Sequence, residues 1–286
     1  MKTFYINNQN RKILLNQFSP CVVALGFFDG VHLGHQEVIK TAVKIAKHRN
    51  VQAAVMTFSP HPKEVINKQK VDYLTSLDVK KNLFQKLGIE VLYLIHFDSE
   101  FATLSSKEFA QSYLIDFQIE HVVAGFDFTY GFRGKGNMRT IVADGLGKYT
   151  ATTIDQFHFQ GEKISSTRIR SIIQEGNVGF LPHLLGDFYK TNGVVKKRKS
   201  WKNRDNIYQI YTDEYCLLPK PGTYQVIIRT EKDTFEATIH RYEEKENIVY
   251  MIPYESQFLE YKQRINIEWI KCWSIKRKTA SASGMS

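Results

Sequence analysis

Apolar positions along this chain follow three different periods. Residues 22–26 (VVALG) are apolar without alternation, the pattern of a strand buried on both faces of a parallel sheet. Immediately after them Val38, Ile39, Ala42, Val43 and Ala46 recur at helical spacing and give an apolar face toward that sheet. Residues 51–58 (VQAAVMTF), 89–97 (IEVLYLIHF) and 119–124 read as further buried strands, with 149–160 another candidate. Helical patterns separate them. Residues 74–88 predict a helix with Thr75 or Ser76 as N-cap and a stop at Gly88, residues 105–117 a second, and a third is expected to start near Arg168, capped by Ser165, Ser166 and Thr167. Strands alternating with helices of this length predict βαβ units and an α/β, doubly wound parallel sheet.

Past residue 185 the period becomes two. Residues 208–211, 223–229, 234–240 and 248–252 alternate, separated by polar or Pro/Gly turns such as LPKPG, which predicts antiparallel β structure, barrel or sandwich. The expected organisation is a first domain over residues 1–185, a smaller β domain over 186–279, and a small, polar, disordered tail at 280–286. No internal repeat is visible.

Composition narrows the class. The 286 residues are 43% apolar and 13% aromatic, enough for two cores. No run approaches the ~18 apolar residues of a membrane span. Residues 1–17 lack the continuous apolar core of a secretory signal, so the cytoplasm is the expected compartment. Cys21, Cys216 and Cys272 are few and far apart and suggest neither a disulfide framework nor a zinc knuckle. The net charge of +10 suits polyanions and small anionic substrates alike. Its densest run, residues 196–204 (KKRKSWKNR), reads as solvated surface with Trp201 as its one aromatic able to stack on a base; Lys276, Arg277 and Lys278 form a smaller cluster. Nucleic acid is the lesser reading, and no protein partner or oligomeric state is assigned.

Candidate chemistry gathers where strands end. Gly26, Gly30 and Gly34 crowd the turn after the first buried strand, and His32 and His35 lie three residues apart where the helix begins. Free amide N–H groups and the positive end of the helix dipole make that place an anion site, to which imidazole N–H groups add donors. Two histidines on one side of a helix could also hold zinc, but no CxxC or HExxH supplies further ligands, and no metal site is assigned. SPHP, residues 59–62, reads as a loop beyond a strand's carboxyl end, which places His61 where ligands collect in open α/β sheets. Residues 125–140 (GFDFTYGFRGKGNMRT) could line a pocket for a flat, anionic ligand or merely plug a domain edge. Ser165, Ser166 and Thr167 with Arg168 and Arg170 make a second anion-suited helix start. Two such starts suggest a substrate with several phosphates, gripped from both sides.

With GFFDGVHLGH, TFSPHP, FATLSSKEFAQSYL, VVAGFDFTYGFRGKG and ISSTRIR in this order, the first ~185 residues resemble the prokaryotic FAD synthetase family. The family's usual form is a bifunctional riboflavin kinase and FMN adenylyltransferase. The resemblance implies a nucleotidyltransferase fold and the reaction of FMN with ATP to give FAD and pyrophosphate. Mg²⁺ is expected to be carried mainly by ATP oxygens and water. It also implies that Gly26, Phe28, Asp29, His32, Gly34 and His35 hold ATP, with Ser165, Ser166, Thr167, Arg168 and Arg170 opposite. His32, His35, Ser166 and Arg168 would be catalytic. Phe58, Pro60, His61, Pro62, Asp127, Phe128 and Tyr130 would form the flavin pocket.

The second half departs from the family. GDFYKTNGVV resembles the entrance of a riboflavin kinase module and LLPKPGTYQVII a later strand, but KKRKSWKNRDNIYQIYTDEYC between them carries no PTAN. No glutamate in EATIHRYEEKENIVYMI can be assigned as the kinase base. The expectation is therefore a barrel that keeps the module's architecture without its activity. The alternatives are the full bifunctional enzyme, another H-x-G-H nucleotidyltransferase, and a non-catalytic flavin- or RNA-binding regulator whose RNA affinity would fall steeply with salt.

Overall fold

A computed structural model describes residues 1–201, 204–243, 245 and 247–275. The expected tail at 280–286, the cluster Lys276, Arg277 and Lys278, and Lys202 of the basic run lie outside the described residues. The chain forms two compact units. One comprises Met1–Tyr73 and Leu77–Ser166; the other comprises Leu74–Ser76 and Thr167–Ser286.

The first unit is built on strands β1 (Lys2–Ile6), β2 (Cys21–Leu25), β3 (Gln52–Ser59), β4 (Val91–His96), β5 (Ile119–Gly125) and β6 (Thr150–Ile154). They form one sheet in the order β1-β4-β3-β2-β5-β6, every pair parallel. The missing alternation in β2 has a physical cause. Val22 and Ala24 pack against Val38, Ile39, Ala42, Val43 and Ala46 of helix α1 (Leu33–Arg49) and against Phe84 of helix α2 (Leu77–Lys86). Cys21, Val23 and Leu25 face the other way, onto Phe109, Tyr113, Leu114 and Phe117. Helices on both faces make the sheet doubly wound, as expected. From β2 the chain steps outward through β3 and β4, then returns with β5 on the opposite side of β2. That reversal opens a crevice at the carboxyl ends of β2 and β5, the switch point where ligands bind such sheets.

Several local expectations shift. Residues 2–6, to which the pattern assigns no element, are an edge strand with Phe4 and Ile6 buried and Lys2 and Tyr5 exposed. SPHP is not all loop: Pro62 opens a short helix, Pro62–Ile66, at a position where a missing N–H is harmless. The helix expected near Arg168 begins at Ser166 and runs to Glu175 as α3, so Ser166 and Thr167 sit inside its first turn. As the first helical residue Ser166 lies past the N-cap position, and its hydroxyl donates to the carbonyl of Asp29.

In the second unit β7 (Tyr189–Trp201), β8 (Arg204–Thr212), β9 (Gly222–Arg229), β10 (Thr234–Arg241), β11 (Ile248–Pro253) and β12 (Arg264–Ile275) close into a barrel, resolving the barrel-or-sandwich choice. The order is β7-β8-β11-β10-β9-β12, all antiparallel. Alternate residues such as Tyr224, Val226 and Ile228, or Ile265, Ile267 and Trp269, are buried. The basic run does not interrupt the fold: Lys196, Lys197 and Arg198 ride exposed on β7.

Candidate active site

The turn between β2 and α1 is fixed by contacts along its whole length. Gly26 donates to the Met56 carbonyl, and a Cβ on Gly26 would lie 2.9 Å from the Phe28 ring, so only glycine lets that ring fold back. Phe28 itself takes a left-handed backbone, φ 52°, and Gly30 follows at φ 86°. The Phe27 carbonyl receives both the Thr57 hydroxyl and the Lys80 ammonium, each at 3.0 Å. Asp29 is buried, and its carbonyl accepts from Ser166 Oγ at 2.8 Å. A residue of the expected second anion site is thus tied directly to the first.

His32 is the N-cap of α1, and its Nδ1 accepts from the backbone N–H of His35 at 3.3 Å. The two imidazoles stack, centroids 3.6 Å apart and planes 15° from parallel, while Phe28 meets His35 edge-on at 5.3 Å. Burial pushes the His32 pKa from 6.5 down to about 4, with Asp127 opposing the shift and Lys163 adding to it. Burial likewise drives His35 well below 6.5, aided by His32 and Lys80. Both rings are therefore neutral near pH 7. Each neutral ring carries one N–H and no positive charge. Because His32 Nδ1 accepts, its proton belongs on Nε2, by the logic of the hydrogen-bond network. His35 Nδ1 is buried with no hydrogen-bond partner among the described residues. A Cβ at Gly34 would press to 3.3 Å against both the His32 ring and Phe157, so glycine there keeps the stacked pair in register.

The remaining expected residues divide. Asp127 and Lys163 form an ion pair at 2.9 Å whose charges both reach His32. Phe128 stacks on Tyr130 at 6.1 Å. Tyr130 is buried, packs on Phe109 and donates its hydroxyl to Asp144, which makes it the anchor of the aromatic loop. Phe58 packs on Phe101, with centroids 5.6 Å apart. His61 caps the short helix begun by Pro62, its Nδ1 accepting from the Lys63 N–H and Glu64 completing a capping box. Its ring lies 4.4 Å from that of Phe27, which brings the segment after β3 beside the turn after β2. Pro60 follows a cis peptide bond. Ser165 lies just ahead of α3; Thr167, Arg168 and Arg170 belong to the second unit, where Arg168 lies 5.8 Å from the Phe180 ring. Among the described residues no three His, Cys, Asp or Glu side chains group as a metal site.

Sequence reasoning passed over Thr57, Lys80, Tyr73 and Lys163. Lys80 carried a signal, since in α2 it occupies an apolar-stripe position between Leu77 and Phe84 and is buried with Val79 and Phe84. A lysine at such a position needs a partner inside. Tyr73, whose hydroxyl donates to Glu64 and accepts from the His61 N–H, had none, because its role depends on chain segments meeting.

Residues 15–168 match the family model described as FAD synthetase. This chain belongs to the FAD synthetase family. The match takes in β2 through β6 and the start of α3 and stops short of the barrel. A bifunctional riboflavin kinase/FMN adenylyltransferase from Bacillus subtilis is 46% identical over 68% of this chain, a match covering 62% of that protein's length. The protein of the same description from Listeria monocytogenes is 39% identical over 82% of this chain and 76% of its own. A second Listeria protein, described as FAD synthetase, is 30% identical over 71% and 80%. Among solved structures, one described as a macrolide-efflux protein from Streptococcus pneumoniae superposes with a TM-score of 0.86 at 26% identity, over 99% of this chain and 94% of that one. Among the described residues no helix is long and apolar enough to cross a membrane.

Proposed function

We propose that this protein transfers the AMP moiety of ATP to FMN, giving FAD and pyrophosphate, and that it does not phosphorylate riboflavin. The observation that carries the reading is the buried, stacked, neutral pair His32 and His35 at the sheet's switch point, capping the helix that starts there. An oxygen of the FMN phosphate attacks the α-phosphorus of ATP in line, a new P–O bond forms, and the bond to the β-phosphate's bridging oxygen breaks as pyrophosphate departs with its electron pair. Neutral imidazole N–H groups fixed in a desolvated turn stabilise the charge that builds on those oxygens without reorganising. His32 Nε2–H is the assigned donor; Gly26, Phe28, Asp29 and Gly34 shape the turn around the triphosphate. Ser166 supports Asp29, while Ser165, Thr167, Arg168 and Arg170 are assigned to ATP on the family's ISSTRIR motif alone. The aromatic loop after β5 and the His61 segment are assigned to the flavin. Mg²⁺ is assigned to the ATP oxygens and water, which suits an ion that keeps most of its hydration. The expected setting is the cytoplasm.

The absence of kinase activity is supported by the stretch between β7 and β9, which lacks PTAN. The bifunctional reading is favoured instead by two relatives described as bifunctional riboflavin kinase/FMN adenylyltransferase. The experiment is incubation with ATP, Mg²⁺ and either FMN or riboflavin, with products separated by chromatography. FAD from FMN and no product from riboflavin supports the proposal. FMN or FAD arising from riboflavin selects the bifunctional enzyme, and no FAD from FMN removes the adenylyltransferase.

A further inference from the structure

Two donors from two different elements converge on one backbone oxygen of the turn between β2 and α1, and the stronger of them is a buried lysine. Lys80 Nζ, reaching from α2, donates to the Phe27 carbonyl at 3.0 Å; Thr57 Oγ1, reaching from β3, donates to the same oxygen at 3.0 Å. Both residues are buried, Lys80 at 4% exposure. The ammonium also lies 4.3 Å from the Phe27 ring and 5.9 Å from that of Tyr73, so aromatic faces line part of its surroundings. Burying an ammonium is costly unless it is held by hydrogen bonds, and here the charge-assisted bond goes to the turn itself.

The consequence follows from peptide geometry. In a planar trans peptide the carbonyl and the next N–H point in opposite directions. Holding the Phe27 oxygen against Lys80 and Thr57 turns the Phe28 N–H away from them, and fixes the turn that continues through the left-handed Phe28 to Asp29 and the histidines.

We propose that Lys80 is a positioning residue for adenylyl transfer: together with Thr57 it clamps the Phe27 carbonyl, sets the path of the GFFDG turn, and stations a positive charge behind the histidine pair. The proposal rests on the adenylyltransferase reading. His35 feels that charge among those around it, the others being His32, and Asp127 and Lys163 acting on His32.

The test compares Lys80→Met, Lys80→Arg and Thr57→Val in the full chain, measuring kcat and KM for FMN together with the His35 titration by NMR. Lys80→Met removes donor and charge at similar volume and is expected to lower kcat about 10²-fold, the scale of a misplaced reacting group, with KM for FMN unchanged. It also raises the His35 pKa. Thr57→Val leaves the charge but removes the second clamp, lowering kcat about 10-fold without moving His35. Lys80→Arg restores most of the rate. If Lys80→Met does not fold, the Thr57→Val and Lys80→Arg results decide alone. Wild-type kcat in Thr57→Val and in Lys80→Met overturns the role of Lys80 while leaving FAD synthesis standing. A wild-type chain that makes no FAD overturns the reading beneath it.

Discussion

The carboxyl end of the parallel sheet and the barrel hold their buried polar groups differently. In the barrel several are matched to one another: Glu268, on the face opposite Ile267 and Trp269, accepts from Arg229 at 2.8 and 3.2 Å and pairs with Lys190 at 2.9 Å, and Trp269 donates its indole N–H to Thr191. Tyr189, Tyr208 and Tyr224 likewise donate their hydroxyls to backbone carbonyls. At the sheet's carboxyl end, two stacked imidazoles are buried beside a helix start, and one ring nitrogen has no hydrogen-bond partner among the described residues. Buried polar groups satisfied from within serve stability. On the adenylyltransferase proposal, the unsatisfied nitrogen at the helix start is the one available to a ligand.

The sharpest break in this comparison is a pair of substitutions. His32→Ala or His35→Ala should lower the rate of FAD formation by roughly 10²–10³, the scale of losing one preorganised donor. Glu268→Gln should leave that rate unchanged. Wild-type turnover in either histidine variant removes the phosphate role.

Acid should separate the two regions next. A neutral histidine with a folded pKa near 4 and an ordinary value of 6.5 leaves the unfolded chain binding more protons between those limits, so stability falls as pH drops through that window. Urea midpoints measured across it should decline less steeply in His32→Asn, which keeps an N-cap acceptor. Burial would raise the Glu268 pKa, but hydrogen bonds from Arg229 and Lys190 outweigh it and hold it below 4.5. Its contribution is therefore present above that ordinary value and lost at still lower pH.

Smaller effects sharpen the contrast. Glu268→Gln should cost about 1–3 kcal/mol in thermal or denaturant unfolding, less than a fully buried pair because Arg229 is half exposed. Ser166→Ala removes one hydroxyl bond to Asp29, should lower unfolding stability by about 1 kcal/mol, and should slow FAD formation by roughly a factor of five.

How much of this was legible in the chain follows the same division. The sheet and its order of elements could be read because β2, β3 and β4 carry unbroken apolar runs, β5 carries a shorter one and α1 repeats at helical spacing, patterns that burial on two faces imposes. The histidine pair could be read because its spacing is local. What could not be read depends on meetings in space. Ser166 reaching Asp29 crosses 137 positions, and Lys80 reaching Phe27 crosses 53. β1 was hidden because an edge strand of five residues buries only Phe4 and Ile6. β7 was hidden because charge on its exposed face masks the alternation beneath, from Tyr189 and Thr191 to Gly193 and Val195.

The central claim is that His32 and His35 are neutral donors facing a nucleotide's phosphates, and ring-resolved NMR of the two histidines during titration with a non-hydrolysable ATP analogue and Mg²⁺ tests it most directly. The account predicts neutral imidazoles at pH 7 whose resonances move on nucleotide binding and stay still with riboflavin alone. Rings that are charged at pH 7, or that do not respond to saturating nucleotide, would contradict it.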